Sequence, residues 1–271
     1  MKEDSKFDCM VYGVSEHKLI CEKLGFKYVS CSGCQVVRQY PYPNQNEMDQ
    51  YYTNYKTKKS FDSVYLTEAG FSIFKRDKEF TFKDLGIDEK GGLEEKSILD
   101  VGCGTGQFVK MMTEKTELIK GIDKSKECIN IAQSNGLNCT SQDFLHEDGL
   151  YDVITMWHLI EHLLDPVEFI EHSYSLLSPG GWLLIETPVI GSVSASFGEN
   201  WRYFMPIEHI NLFTQKSLFK KCIDTGFKID SWVRFGSGND GKDTNVPNKL
   251  AMDQIAKQYG FGDTLAVLLI K

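Results

Sequence analysis

The chain has 271 residues, of which 41% are hydrophobic and 12% aromatic, so it can bury one substantial core and a small additional module. Its net charge is −8, with 30 basic against 38 acidic residues, which argues against nucleic acid as the main partner because phosphate binding usually requires a basic face. No apolar run reaches the roughly 18 residues of a membrane span, and the first residues lack the apolar stretch of a signal peptide.

Residues 1–45 are predicted to form a short β-rich module that holds four of the eight cysteines. Lys18 to Lys23 and Phe26 to Ser30 have the composition of strands, and Leu24-Gly25 supplies a turn between them. The stretch Pro41 to Asn44 breaks the pattern and marks a boundary. Because no secretion signal precedes the cysteines, we expect reduced thiols in a cytoplasmic protein.

Two of these cysteines, Cys31 and Cys34, have the Cys-x-x-Cys spacing of a zinc knuckle. A second knuckle would need cysteines at positions 9 and 12, but position 12 is Tyr12. If the predicted hairpin forms, His17 lies beside Cys31 and could replace the missing ligand. The possible zinc ligands are then Cys9, His17, Cys31 and Cys34. The alternative, which we favour, is a degenerate, metal-free zinc ribbon that packs as a platform for substrate.

Residues 46–92 are predicted to be helical and are rich in aromatic side chains. The aromatics are Tyr51, Tyr52, Tyr55, Phe61, Tyr65, Phe71 and Phe74. A packed helical face is the favoured interpretation for most of them. The alternative is a lid over an active site, which would explain the tyrosines at the start of the segment.

From Lys96 onward, predicted strands and helices alternate, which is typical of a parallel α/β sheet. The predicted strands cover residues 97–101, 118–122, 151–156, 182–186, 227–235 and 264–270. The predicted helices cover residues 107–115, 126–134, 166–177, 217–225 and 247–259. We therefore predict one α/β domain over residues 93–271.

The strongest motif is an apolar strand that runs into three alternating glycines, Gly102, Gly104 and Gly106, and then into a helix. Glycine is needed where the chain turns sharply or where a ligand approaches bare backbone, and the following helix amides can bind a polar ligand. Nicotinamide enzymes use G-x-G-x-x-G, but the third glycine of that pattern would fall on Gln107. The spacing, with Asp100 just before the turn, fits a nucleoside bound without a pyrophosphate.

Two further acids follow the next predicted strands. A carboxylate at Asp123 can accept both ribose hydroxyls of an adenosine. A carboxylate at Asp143 can receive the adenine amino group, and Phe144 offers a ring face beside it. The alternative for Asp143 is the cap of a turn.

In this order and spacing, these residues resemble the class I S-adenosylmethionine-dependent methyltransferases. The resemblance implies a Rossmann-like, seven-stranded sheet with helices on both faces, and S-adenosylmethionine as the cofactor. It implies that the first turn holds the methionine part, that Asp123 holds the ribose and that Asp143 contacts adenine. The cofactor-binding residues expected on this basis are Asp100, Gly102, Cys103, Gly104, Gly106, Gln107, Asp123, Asp143, Phe144 and Trp157.

The loop from Met156 to Pro166 resembles the corresponding loop of ubiquinone-pathway O-methyltransferases and deoxysugar methyltransferases. In α/β sheets the chemistry lies outside the carboxyl ends of the strands, so we expect Trp157 and His158 near the reactive methyl group. Further on, Pro206 to Thr214 resembles the Pro-x-Glu-His stretch of deoxysugar C-methyltransferases, in which the adjacent Glu and His are placed to handle a proton.

Methyl transfer from a sulfonium needs no acid, but a hydroxyl or an acidic carbon must lose a proton. Histidine titrates near neutral pH and suits that task. We therefore predict His209 as the general base with Glu208 assisting it, and His162 or His158 as second choice. For each histidine, the alternative is a structural role with a hydrogen bond to a backbone carbonyl.

Together these patterns predict an enzyme that methylates a small molecule. O-methylation of a sugar, a nucleotide-linked sugar or a similar intermediate is favoured over sugar C-methylation, because deoxysugar C-methyltransferases usually carry a further α/β domain and this chain stops at Lys271. A non-catalytic S-adenosylmethionine-binding adaptor is the alternative from another class, and the intact glycines and acids argue against it. The sequence predicts neither the acceptor nor the oligomeric state.

Overall fold

The computed structural model describes residue 9 and residues 16–53, 67–238 and 249–271. Within them the strands are β1 (His17–Lys23), β2 (Phe26–Cys31), β3 (Val37–Tyr40), β4 (Ile98–Val101), β5 (Ile119–Asp123), β6 (Cys139–Ser141), β7 (Tyr151–Trp157), β8 (Leu177–Ile190), β9 (Asn211–Thr214), β10 (Lys228–Phe235) and β11 (Thr264–Ile270). The α-helices are α1 (Gln45–Thr53), α2 (Glu68–Leu85), α3 (Gln107–Met112), α4 (Lys126–Ser134), α5 (Pro166–Leu176), α6 (Ser192–Phe197), α7 (Gln215–Thr225) and α8 (Lys249–Gln258).

Seven strands form the central sheet in the order β6-β5-β4-β7-β8-β11-β10. The first five are parallel to one another, and β11 runs antiparallel to both β8 and β10. All four residues of β4 are buried, as expected for a parallel strand that is covered on both faces. The predicted α/β domain therefore has the mostly parallel sheet that the alternating pattern indicates.

Side chains on the two faces of this sheet belong to separate hydrophobic clusters. Along β8, Leu183 and Ile185 lie in one cluster and Leu184 lies in the other, because successive side chains of a strand point to opposite faces. The first cluster includes residues of α5 and α7, and the second includes residues of α2 and α3. Helices thus pack against both faces of the sheet.

Local capping signals set the ends of several helices. Asp165 caps α5 by accepting the N–H of Glu168 at 3.0 Å, with Pro166 in the first helical position. Helix α3 is shorter than predicted and ends at Met112, because the chain turns before Thr116. None of the described helices combines the length and apolar character needed to cross a bilayer.

The N-terminal strands are continuous with the central sheet, which the sequence did not predict. Strands β1, β2 and β3 form an antiparallel meander whose first turn has positive φ at Leu24 and Gly25. Val37 of β3 pairs with Leu212 of β9, and β9 lies parallel to the end of β8. Strands β3 and β9 have only four residues each, too short for a periodic signal, and their long-range pairing defines them.

The segment after Gly191 contains α6 and a short 3₁₀ turn. Trp201 follows this turn and is fully buried, with its indole N–H donating to Asp263 at 2.9 Å. The segment is therefore anchored at its end, next to Arg202 and Tyr203.

Candidate active site

A cavity of about 930 Å³ opens at the carboxyl ends of the parallel strands. Its walls come from the turn after β4, from the ends of β5, β7 and β8, and from helices α2 and α8. This is the place where open α/β sheets bind ligands. The glycine turn after β4 and the loop that contains His158 and His162 both line this cavity.

The three glycines of the turn play different roles. All three have positive φ, between 53° and 82°. A methyl group on Gly102 would lie 2.7 Å from the Leu159 side chain, and one on Gly106 would lie 2.7 Å from the Leu137 side chain. A methyl group on Gly104 would meet no atom within 4 Å. Gly102 and Gly104 line the cavity together with Cys103 and Gln107, whereas Gly106 is required for packing.

Two of the predicted acids lie in the cavity wall. Asp123 accepts the N–H of Gly104 at 2.9 Å and the N–H of Ser125 at 2.7 Å, one on each carboxylate oxygen. Asp100 accepts the hydroxyl of Thr155 at 2.7 Å. Burial raises the pKa of both carboxyl groups, and that of Asp100 rises to about 7.

Asp143 and Phe144 do not line this cavity, in contrast to the expectation that they contact adenine. Asp143 caps a 3₁₀ turn by accepting the N–H of Leu145 at 3.1 Å, and it pairs with Lys124 at 3.1 Å. The Phe144 ring is 2% exposed and packs against Phe169 in the core. Asp143 thus makes the contact of a turn cap through the N–H of Leu145, and its contact with adenine stays a prediction.

The indole nitrogen of Trp157 is a hydrogen-bond donor in the wall of the cavity. Its ring lines the cavity, and its buried indole Nε1 has no hydrogen-bond partner among the described residues. The ammonium of Lys78 lies 4.2 Å from the centre of the ring. An unpaired buried donor costs about 1–3 kcal/mol, so a ligand acceptor at this position would be stabilising.

A network of charges, which is buried except for the partly exposed His158 and which the sequence did not predict, forms the wall beside Trp157. Lys78 of α2 donates to Glu186 of β8 at 2.6 Å, and both side chains are almost fully buried. His158 bridges Glu186 and Glu161, with its ring nitrogens 3.3 and 3.2 Å from the two carboxylates. Glu161 also accepts the hydroxyl of Thr187 at 2.9 Å. The sequence does contain a signal for this network. Lys78 lies four residues after Phe74, on the apolar face of a predicted helix, where a charged side chain needs a buried partner.

Removing the ammonium at the centre of this network should destabilise the fold. We expect Lys78→Met to lower the free energy of unfolding by about 3 kcal/mol, because Glu186 loses a buried partner that His158 replaces only in part. Lys75→Met on the same helix is the matched control, since Lys75 pairs with Glu114 at the surface. Urea denaturation of the three proteins measures the difference, and equal stabilities of the two variants would contradict this account.

The protonation of His158 should make stability depend on pH. Burial alone lowers the pKa of this imidazole, but hydrogen bonds and charges from Glu161 and Glu186 outweigh burial and raise the pKa to about 9. The stabilisation is therefore fully present below the unfolded pKa of about 6.5 and is lost as the pH rises to about 9. We expect unfolding free energies to decrease over this window in the wild type and to decrease less in His158→Gln. Parallel pH profiles from denaturant titrations would be evidence against the bridging role.

His162 and His209 lie side by side, with ring centroids 4.8 Å apart, and both contact backbone carbonyls. The Nδ1 atom of His162 lies 2.9 Å from the carbonyl of Glu208, and the Nδ1 of His209 lies 2.9 Å from the carbonyl of Tyr203. A carbonyl can only accept, so Nδ1 carries the proton in each neutral ring and Nε2 carries the lone pair. Burial lowers the pKa of His162, and it lowers that of His209 to about 3.

Only one of these two rings faces the cavity. His162 lines it, as does His158, whereas His209 is 5% exposed and does not line it. Glu208 is also buried outside the lining, and it accepts the hydroxyl of Tyr51 at 2.5 Å. The placement of His209 thus differs from the expectation that it contacts the acceptor directly. Its neighbour in the chain, Glu208, orients His162 through its backbone carbonyl.

Helix α2, in the segment for which the sequence favours a packed helical face, supplies much of the remaining wall. Phe74, Thr81 and Asp84 line the cavity along this helix. The side chains of Tyr52, Tyr55, Phe61 and Tyr65 fall outside the described residues. The lid that those tyrosines suggested therefore stays a prediction.

Three of the four possible zinc ligands converge at the edge of the N-terminal meander. The sulfur atoms of Cys9, Cys31 and Cys34 lie within 4.8 Å of one another, and all three residues are buried. The N–H of Cys34 donates to the sulfur of Cys31 at 3.4 Å. His17 pairs with Cys31 across the hairpin, but its exposed side chain is not part of this group. A structural zinc site uses four ligands, so the metal-free ribbon stays the prediction and zinc at this cluster stays the alternative.

Comparisons with known proteins show the family to which the chain belongs. The sequence profile of the family described as "Methyltransferase domain" matches residues 79–231, which is more than half of the chain. This chain belongs to the methyltransferase-domain family. The expected resemblance to ubiquinone-pathway O-methyltransferases is confirmed by relatives described as ubiquinone biosynthesis O-methyltransferase.

Two such relatives come from Paraburkholderia xenovorans and Colwellia psychrerythraea. They are 32% and 30% identical to this methyltransferase-domain protein over 111 and 112 residues. The alignments cover 37% and 38% of the chain and 48% and 46% of the relatives, so the chain spans about half the length of the curated relatives it matches.

Solved structures of methyltransferases share the fold. One is a Thermotoga maritima protein described as a possible histamine N-methyltransferase, with 16% identity, a TM-score of 0.54, and coverage of 84% of this chain and 100% of that one. Another is magnesium protoporphyrin IX methyltransferase of Synechocystis with bound S-adenosylhomocysteine, with 14% identity, a TM-score of 0.57 and the same coverage. The predicted class I, Rossmann-like fold is thereby confirmed.

Proposed function

We propose that this chain is an S-adenosylmethionine-dependent methyltransferase that transfers a methyl group to an oxygen atom of a small molecule. In this reaction the bond between the sulfonium sulfur and the methyl carbon breaks, the oxygen–methyl bond forms, and the hydroxyl proton leaves the acceptor. The observation that carries the proposal is the cavity at the carboxyl ends of the strands, with Asp123 and the open face of Gly104 in its wall. The names of the curated relatives support transfer to oxygen.

The residues of the turn fit the cofactor. Each oxygen of Asp123 accepts one backbone N–H, which orients the carboxylate and leaves a lone pair on each oxygen for a ribose hydroxyl. The open space beside Gly104 admits a ligand close to the backbone, and Asp100 with Gln107 would hold the methionine part. The cofactor supplies a methyl group on a positively charged sulfur. The unpaired N–H of Trp157 would donate to an acceptor atom nearby.

We assign removal of the acceptor proton to His162. Its ring lines the cavity, its Nδ1 is held by the Glu208 carbonyl, and its lowered pKa keeps it neutral and basic near pH 7. His209 lies behind it and supports the ring by edge-to-face packing. His158 is protonated between the carboxylates of Glu161 and Glu186, so it holds these two side chains in place and does not accept a proton.

The lining of the cavity suits a hydroxylated acceptor. The volume of about 930 Å³ is near the upper end of the 300–1,000 Å³ that is typical of small-molecule sites, which leaves room for an acceptor beside the cofactor. Polar side chains that line it and belong to elements other than the glycine turn are Asp77, Lys78, Arg202, Tyr203, Asp253 and Gln254. Such groups hydrogen-bond sugar hydroxyls, so a sugar or nucleotide-linked sugar is the acceptor class we propose, with sugar C-methylation as the second candidate.

The test is transfer of a labelled methyl group. The protein is incubated with an untargeted metabolite extract and S-adenosylmethionine that carries an isotopic label in its methyl group, and products are identified by mass spectrometry. We expect one labelled product family that is absent with Asp123→Ala, and NMR of that product separates oxygen from carbon methylation. Binding of S-adenosylhomocysteine without any labelled product would instead favour the adaptor.

A further inference from the structure

A second cleft, of about 680 Å³, lies between the N-terminal meander and helix α7. Its walls come from strands β1, β2 and β3, from the end of β8, and from the first turn of α7. Arg234 of β10 closes one side. No residue of this cleft belongs to the lining of the cofactor cavity.

The charge of this cleft is opposite to that of the chain. Three cations line it, namely Lys18, Lys216 and Arg234, and no aspartate or glutamate does, although the chain carries a net charge of −8. Among the described residues, no carboxylate oxygen lies within 4.0 Å of a charged nitrogen of these three side chains, and the carboxylate of Asp263 acts on Arg234 only from a greater distance. Cations without acidic partners create a positive potential that attracts anions.

Arg234 is held in place as part of this wall. Its Nε donates to the carbonyl of Gly262 at 2.8 Å, and one terminal nitrogen contacts the carbonyl of Phe261 at 3.4 Å. That terminal nitrogen lies 2.7 Å from the position that a Cβ on Gly191 would occupy, so any larger residue there would displace it. Because a guanidinium has five N–H donors, these contacts leave donors for a ligand.

Helix α7 adds further donors at the same place. Thr214 caps the helix and accepts the N–H of Ser217 at 3.1 Å. The N–H groups of Gln215 and Lys216 precede it and have no intrahelical acceptor, because they belong to the first turn. Both residues line the cleft, so the positive end of the helix dipole points towards the three cations.

The rest of the cleft is apolar. The apolar side chains of its wall are Ile20, Val37, Ile190 and Phe219. The ring of Phe219 is partly buried and is held edge to face by Trp232, with centroids 6.2 Å apart. A free phosphate would use the cations alone, whereas a planar ring attached to phosphate would also use this apolar wall.

The cleft and the cofactor cavity are separate sites on the same two strands. On β10, Arg234 lines the cleft and Phe235 lines the cavity, as adjacent residues of a strand point to opposite faces. On β8 the two sites are separated along the strand, because Glu186 lines the cavity and Ile190, four residues or about 13 Å further on, lines the cleft. We propose that this cleft is a second ligand site that binds a nucleoside diphosphate or a similar anion with a phosphate group and a planar ring.

The experiment is isothermal titration of the full chain with uridine diphosphate at low salt, with uridine and inorganic pyrophosphate as partial probes. We expect uridine diphosphate to bind with one molecule per chain, more tightly than either partial probe, and equally well when S-adenosylhomocysteine is in saturating excess. The double variant Lys18→Ala, Lys216→Ala should weaken this binding at least about tenfold, because it removes two of the three cations that line the cleft. Lys220→Ala is the matched control, because Lys220 lies on the same helix, pairs with Asp224 and does not line the cleft.

Three outcomes would overturn the proposal. They are absence of binding at millimolar uridine diphosphate, competition with S-adenosylhomocysteine, and equal affinity of the double variant and the control. Pyrophosphate that binds as tightly as uridine diphosphate would contradict the role of the apolar wall. Since the readout is binding to a different cavity, failure of the methyltransferase proposal leaves this test intact.

Discussion

Replacing His162 by glutamine is expected to lower the rate of methyl transfer by about 100- to 10,000-fold, which is the range that a general base contributes. Affinity for S-adenosylhomocysteine should stay within about twofold of the wild type, since the base acts on the acceptor and not on the cofactor. The rate of label transfer into the metabolite extract, compared with a binding titration, separates the two effects. His172→Gln is the matched control, because His172 also contacts a backbone carbonyl but lies outside the cavity.

The pH profile distinguishes a base from a structural residue. Burial lowers the pKa of His162, so the wild-type rate should fall only as the pH drops below the ordinary histidine value of about 6.5. The glutamine variant should lack this acidic limb. If His209→Gln, while folded, loses more activity than His162→Gln, the base is the buried histidine that the sequence favoured, and our assignment is wrong.

Replacing Asp123 by alanine should weaken binding of S-adenosylhomocysteine about 100-fold or more. Two hydrogen bonds from ribose hydroxyls to a carboxylate contribute about 1.5 kcal/mol or more each, and 1.4 kcal/mol corresponds to tenfold in affinity. The variant also frees the N–H of Gly104, which Asp123 now fixes at 2.9 Å. Isothermal titration measures the change.

Asp143→Asn is the control for this experiment. It keeps an oxygen that can cap the 3₁₀ turn, and Asp143 lies outside the cavity lining. We expect its affinity to stay within about threefold of the wild type, which is less than one charge-assisted hydrogen bond. A loss at Asp143 as large as that at Asp123 would show that the adenine contact expected from the sequence forms after all.

The parts of the site that follow from sequence are those set by local chain geometry. The turn through Gly102, Gly104 and Gly106 needs positive φ at each position, and because glycine adopts positive φ most readily, this requirement is visible in the sequence. Asp100 and Asp123 sit at fixed offsets from this turn and from the next strand. Their placement in the cavity wall could therefore be predicted.

The parts that did not follow depend on contacts between distant segments. Lys78 pairs with Glu186, which lies 108 residues further along the chain. This pairing could not be predicted, because a lysine in a helix is normally exposed to solvent. Glu208 and His209 are the residue types of a proton-handling pair, yet the fold buries His209 against Tyr203, and His162 lines the cavity instead. The pairing of β3 with β9 has the same origin, since neither four-residue strand carries a pattern of its own.

The measurement that tests the central claim most directly is titration of the purified wild-type chain with S-adenosylhomocysteine. The claim predicts saturable binding of one molecule per chain, accompanied by a rise in melting temperature that Asp123→Ala abolishes and Asp143→Asn keeps. Absence of both heat and thermal shift at millimolar ligand, from a chain shown to be folded, would contradict it.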